Sequence, residues 1–128
     1  MVTVLIFKES RYPVSREKIR QAVEQVLTEQ KVKGKIEVSV SVIGDRKMKV
    51  LKKQYLGEEG TTDVLSFPLG EVPGKFIDPP DGVLRLGDIV VSYPQAVLNA
   101  AQNNVLVDEE ITALVKHGVK HLLGIHHE

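Results

Sequence analysis

KIEVSVSVIGDRKMKVLKKQY, residues 35–55, changes its apolar period partway along. Ile36, Val38, Val40 and Val42 alternate with Glu37, Ser39 and Ser41, the two-residue repeat of a strand with one buried face. Gly44-Asp45 turns the chain, and Asp45 is expected to cap the helix that follows. In that helix Met48, Leu51 and Tyr55 share a face, while Arg46, Lys47, Lys49, Lys52 and Lys53 cover the rest. A strand thus gives way directly to a helix, and the same succession recurs on either side.

Toward the N-terminus, Val2 to Phe7 is a short β-rich run, and Pro13-Val14-Ser15 opens a helix that Ser15 caps. Ile19, Ala22, Val23, Val26 and Leu27 give that helix one apolar stripe, and Gly34 closes the unit. Toward the C-terminus, Thr62 to Pro68 reads as a third strand, and the Pro- and Gly-rich stretch from Gly70 to Gly82 as a loop. Leu84 to Val91 reads as a fourth strand. Ser92 then caps a helix with Pro94 in its first turn, and Asn103-Asn104 breaks it. Asp108 is expected to cap the last helix, whose stripe is Ile111, Leu114, Val115, Gly118, Val119 and Leu122, with Gly124 as its stop. Phe67 and Tyr93 are expected in the core. The order β-α-β-α-β-β-α-α predicts an α+β fold with one mixed sheet of about four strands and helices packed against it.

A chain of 128 residues suggests a single domain, and 42% hydrophobic residues suffice for a small core. Seventeen basic and 17 acidic side chains cancel, which excludes the overall charge of a non-specific nucleic-acid binder but leaves room for a local basic patch. There is no cysteine, so thiolate metal sites and disulfides are excluded, and any transition metal must rest on histidine and carboxylate. The N-terminus has no basic segment before its short apolar run, and no stretch approaches the ~20 apolar residues of a membrane span. A soluble, cytoplasmic protein with no membrane partner is expected.

All four histidines fall in HGVKHLLGIHHE, residues 117–128. His117 and His121 are four apart on the last helix, so they project from one face about one turn apart, as two ligands of one ion require. Gly124 lets the backbone reverse and bring His127 to the same metal. Three imidazoles leave a fourth position open, the form of a catalytic zinc site, although nitrogen ligands also suit nickel and copper. His126 is read as neighbouring or solvated. The alternative is a solvated histidine-rich tail, against which stands the placement of two of these residues inside a patterned helix.

The spacing H-x3-H-x2-G-x2-H is that of the metzincin proteases. Those enzymes carry Glu directly after the first histidine as general base; here that residue is Gly118, so the peptidase base is missing.

The tail also resembles the signature of the bacterial ribosomal-RNA maturation family, the YbeY-type endoribonucleases, a group of metal-dependent hydrolases. The resemblance extends to two further blocks: Thr62-Asp63-Val64-Leu65-Ser66-Phe67-Pro68, and Leu86-Gly87-Asp88-Ile89. The three blocks keep the family's order and the match covers nearly the whole chain. The resemblance implies a single-strand-specific, zinc-dependent endoribonuclease acting in small-subunit (16S) rRNA maturation and ribosome quality control. One zinc ion would be held by the catalytic residues His117, His121 and His127, and the partners would be single-stranded RNA and the small ribosomal subunit.

Three departures from the family pattern stand out. Its Tyr-Arg-Gly segment is Tyr55-Leu56-Gly57 here, so the phosphate-binding arginine is replaced by Leu56. Its Tyr-Asp pair is Ile125-His126. Its members continue past the last motif histidine, whereas this chain ends at Glu128, so a short C-terminal tail is expected to be lacking.

Candidate substrate-binding residues are Arg85 and Lys53, as substitutes for the missing arginine, with Lys49 and Asp63. Asp63 is weighed equally as a residue that orients a ligand histidine or serves a turn. Glu128 and His126 are candidates for general base. Two other classes are carried alongside: a zinc hydrolase of peptide or small substrates, and a non-catalytic ribosome-assembly binder with a structural metal.

Overall fold

The computed structural model describes residues 1–69 and 82–125. The elements are β1 (Val2–Lys8), α1 (Arg16–Glu29), β2 (Lys35–Ile43), α2 (Asp45–Leu56), β3 (Val64–Pro68), β4 (Val83–Ser92), α3 (Tyr93–Asn103) and α4 (Val107–Leu122). The expected order and the mixed sheet are both found. The strands run β1-β2-β4-β3, with β1, β2 and β4 parallel and β3 antiparallel to β4. β3 begins at Val64, two residues later than expected, and the side chain of Asp63 just before it meets Asn99 of α3.

Alternation on β2 decides the layering. Ile36, Val38, Val40 and Val42 are buried toward α1 and α4, joined by Ile89 and Val91 of β4 and by the whole predicted stripe of α1. Each such side chain contributes roughly 1.5–3 kcal/mol when fully buried. Glu37, Ser39 and Ser41 point to the other face, which α2 covers only in part. Of the α2 face, Met48 alone is buried; Tyr55 is 60% exposed and meets Phe67 of β3.

Two glycines hold the sheet and α4 at close range. Gly87 follows a bulge at the Glu37/Val38 register shift and has φ +143°. A Cβ there would lie 2.2 Å from the Phe67 carbonyl oxygen and 3.0 Å from Leu122 Cδ2. At Gly118 a Cβ would lie 2.8 Å from Ile89 Cγ2. The glycine after His117 is therefore a packing requirement of α4 on β4, and a peptidase-type glutamate does not fit at that position without moving the core.

Ser15 and Ser92 cap α1 and α3 as expected, accepting from the backbone N–H of Lys18 and Gln95. The other two caps differ. Gly44, not Asp45, is the N-cap of α2, and Leu106, not Asp108, that of α4; neither makes a side-chain cap. Asp108 sits in the first turn beside Glu109 and Glu110, where negative charge meets the positive helix end.

Asp45 instead binds across the fold. Its Oδ1 accepts from Ser92 Oγ at 2.7 Å and Thr61 Oγ1 at 2.9 Å, and its Oδ2 from Gln95 Nε2 at 3.0 Å. Burial raises its carboxyl pKa, but the hydrogen bonds from Ser92, Gln95 and Thr61 and the charge of Lys49 outweigh that and hold it below the ordinary carboxylate value.

Candidate metal centre

α4 carries the site. Its stripe of Ile111, Leu114, Val115, Val119 and Leu122 is buried, which turns the opposite side outward and leaves His117 and His121 exposed on it, one turn apart. At His121 the helix passes β3. Ser66, whose register partner on β4 is Ile89, faces α4, and its Oγ is hydrogen-bonded to His121 Nδ1. A hydrogen bond to the ring nitrogen that does not ligate is what orients most metal-binding histidines.

The residue hydrogen-bonded to His121 is thus Ser66, while the Asp63 side chain is engaged by α3. The Asp63 carboxylate accepts from Asn99 Nδ2 at 3.0 Å, and its carbonyl from the Ser92 N–H at 2.9 Å. Asp63 fastens the start of β3 to the β4–α3 junction, the turn duty weighed for it in the sequence.

His127, the expected third ligand, lies outside the described residues, as do His126 and Glu128. Among the described residues no group of three histidine, aspartate or glutamate side chains is arranged to hold a metal ion. The pair that is described does suit zinc. Two imidazoles share one helix face, and one has its Nδ1 already committed to a hydroxyl.

The candidate substrate residues lie apart from this pair. Arg85 sits on the sheet face turned away from α4, with Nε 2.9 Å from Glu37 Oε2. Lys53 is paired with Glu59 at 2.9 Å, while Lys49 is exposed on α2 near Asp45. Elsewhere on α2, Lys52 donates to the Thr61 carbonyl at 3.4 Å and Lys47 lies 3.8 Å from Glu9, so part of the basic helix is used locally. Leu56 is 51% exposed at the end of α2.

The aromatic expectations divide. Tyr93 packs against the core, stacked on Tyr12 with ring centroids 4.6 Å apart. Phe67 does not enter the core. It lies on the open sheet face, its ring 5.1 Å from that of Tyr55. With Ser39, Ser41, Leu51, Asp88 and Val90 these two rings line a groove of about 470 Å³ that reading along the sequence missed. Its walls come from four separate elements, so no local spacing announces it; only strand parity, which puts Phe67 and Asp88 on one face, hints at it.

No helix of the described residues is long and apolar enough to cross a membrane. A family model described as Endoribonuclease YbeY matches residues 6–128. Proteins named Endoribonuclease YbeY from Roseiflexus sp. (strain RS-1), Persephonella marina and Thermus thermophilus are similar to this chain. The first is 39% identical over 86% of this chain and 69% of its own length. The second is 35% identical over 100% and 80%, and the third 37% over 87% and 76%. The solution structure of TM1509 from Thermotoga maritima superposes with a TM-score of 0.60 at 29% identity, covering 98% of this chain and 75% of that one. The resemblance carried by the three sequence blocks therefore holds over the length of the molecule: the chain belongs to the endoribonuclease YbeY family.

Proposed function

We propose that this chain is a hydrolytic endoribonuclease that cuts single-stranded RNA with one zinc ion held by His117, His121 and His127. It acts in the cytoplasm, in maturation of small-subunit rRNA and in ribosome quality control, with the small subunit as partner. The observation that carries this reading is the Ser66–His121 hydrogen bond beside His117, a prepared pair of imidazoles in a chain of this family.

Each residue has a distinct task. Ser66 is hydrogen-bonded to Nδ1 of His121 and holds the ring against β3, so Nε2 would be the nitrogen offered to zinc. His117 supplies a second imidazole from the preceding turn, and Gly118 lets α4 approach Ile89 closely enough to hold both rings at the sheet edge. When bound, zinc supplies Lewis acidity at a phosphoryl oxygen. Exposed lysines of α2, Lys49 among them, add sequence-independent attraction for the RNA backbone that weakens with salt.

A peptidase is disfavoured by Gly118, since the packing that demands glycine there removes the base peptide hydrolysis uses. The test is cleavage of a single-stranded RNA and its duplex by purified protein. Cutting of the single strand alone, abolished by a chelator and restored by zinc, is expected. Cleavage indifferent to the chelator, or equal on the duplex, would refute the reading.

A further inference from the structure

The groove on the open face has a chemistry that the metal centre does not use. Tyr55 and Phe67 set two aromatic rings at 53° to one another in its lining, and Leu51 and Val90 add apolar wall. Among the described residues its lining holds one carboxylate, the half-buried Asp88, cross-strand neighbour of Phe67. Ser39, its register partner on β2, donates to Asp88 Oδ1 at 2.5 Å and fixes the group. Oδ2 receives no hydrogen bond from the described residues. The site therefore offers an oriented acceptor pair beside aromatic surface, in a groove of about 470 Å³.

We propose that this groove is a base pocket that selects an unpaired guanine of the RNA. A carboxylate only accepts hydrogen bonds. Among the four RNA bases, guanine alone presents two adjacent donors, N1–H and the 2-amino group, on its pairing edge. Adenine, cytosine and uracil each set a lone-pair acceptor beside their donor, which a carboxylate repels. Unpaired bases are read in this way, by stacking on aromatic rings and hydrogen bonds to the pairing edge.

Position links the pocket to the metal centre. Ser66 and Phe67 are consecutive on β3, so their side chains take opposite faces: Ser66 holds His121 on one, and Phe67 lines the groove on the other. Among the described residues β3 is an edge strand of the sheet. An RNA strand that crosses this edge reaches both, so cuts are expected at a fixed distance from a guanine. That last step rests on the nuclease reading; binding of the base does not.

The two are separated by measuring binding in chelator, without catalysis. Guanosine, adenosine, cytidine and uridine monophosphates are titrated against the full chain. Guanosine monophosphate is expected to bind about tenfold or more tightly than the others, the discrimination a good bidentate contact gives. Asp88→Asn, which sets a donor beside the acceptor, is expected to bring the four within about twofold. Tyr55→Ala weakens all four together. Equal affinities in the unmodified protein, or a preference that survives Asp88→Asn, would overturn the pocket. So would displacement of guanosine monophosphate by arginine amide at matching concentration, which marks a surface for basic protein side chains. If Asp88→Asn does not fold, the comparison on the unmodified protein decides alone. Chelator-sensitive cleavage without a guanine preference defeats the pocket and leaves the nuclease. Guanine binding without cleavage does the reverse.

Discussion

The two faces of the sheet are built on opposite principles. The face under α1 and α4 is closed and apolar, with Val38, Val40, Val42, Ile89 and Val91 fully buried and two glycines where no Cβ fits. The open face, only partly covered by α2, carries Ser39, Ser41, the Glu37–Arg85 ion pair and Asp88, with Phe7 58% exposed. The closed face sets stability and the open face has room for ligands. The candidate ligands His117 and His121 stand where the two meet, on α4 beside the edge strand β3, both exposed.

Substitutions should divide along the same line. The largest effect is expected from Gly87→Ala on the closed side, which forces a Cβ to 2.2 Å from the Phe67 carbonyl at a positive φ. A loss of about 3 kcal/mol or more in denaturant unfolding is expected. An unchanged midpoint would mean that α4 and β3 are not held at this range.

Asp45→Ala comes next, at about 2 kcal/mol, for the loss of hydrogen bonds to a charged group from Ser92, Thr61 and Gln95. The folded-state pKa of Asp45 is depressed, so its contribution is fully present above the unfolded-state pKa and disappears as pH falls through the folded-state value. The difference between the two proteins should therefore be flat near neutrality and shrink in acid. A gap that widened in acid would contradict the assigned hydrogen bonds.

Ser66→Ala tests the margin between the faces. Stability should change little, since Ser66 is only half-buried, while zinc affinity falls about 10- to 100-fold, as loss of a partner to a metal-ligating histidine typically causes. Ser66→Thr, which keeps a hydroxyl, should recover part of it. A competition titration against a chromophoric chelator measures both. Smallest of all, Phe7→Ser on the exposed part of the open face should stay within about 0.5 kcal/mol. A larger loss would show that this face is covered in solution.

What was legible in the sequence follows the distance between partners. The β2 alternation and the α1 stripe depend on neighbours within a few residues, and both are found in full. The His117–His121 pair is equally local. Asp45 was misread as a cap because its partners Ser92 and Gln95 lie 47 and 50 residues away. Asp108 was misread because an acidic residue in a first turn serves the helix dipole as readily as a cap. Ser66 meets His121 across 55 residues, through an antiparallel pairing that no local pattern specifies. The groove is less legible still, since Ser39, Tyr55, Phe67 and Asp88 come together only once the strand order is known.

RNA cleavage is proposed to depend on a zinc ion for which the histidine pair on α4 supplies two of three protein ligands. The most direct measurement is zinc bound per chain, by elemental analysis after dialysis, taken with single-strand RNA cleavage for the unmodified protein and His117→Ala. One zinc per chain with activity, and loss of both in His117→Ala while the fold melts as before, is the predicted result. A His117→Ala protein that keeps its zinc and its cleavage would contradict the account.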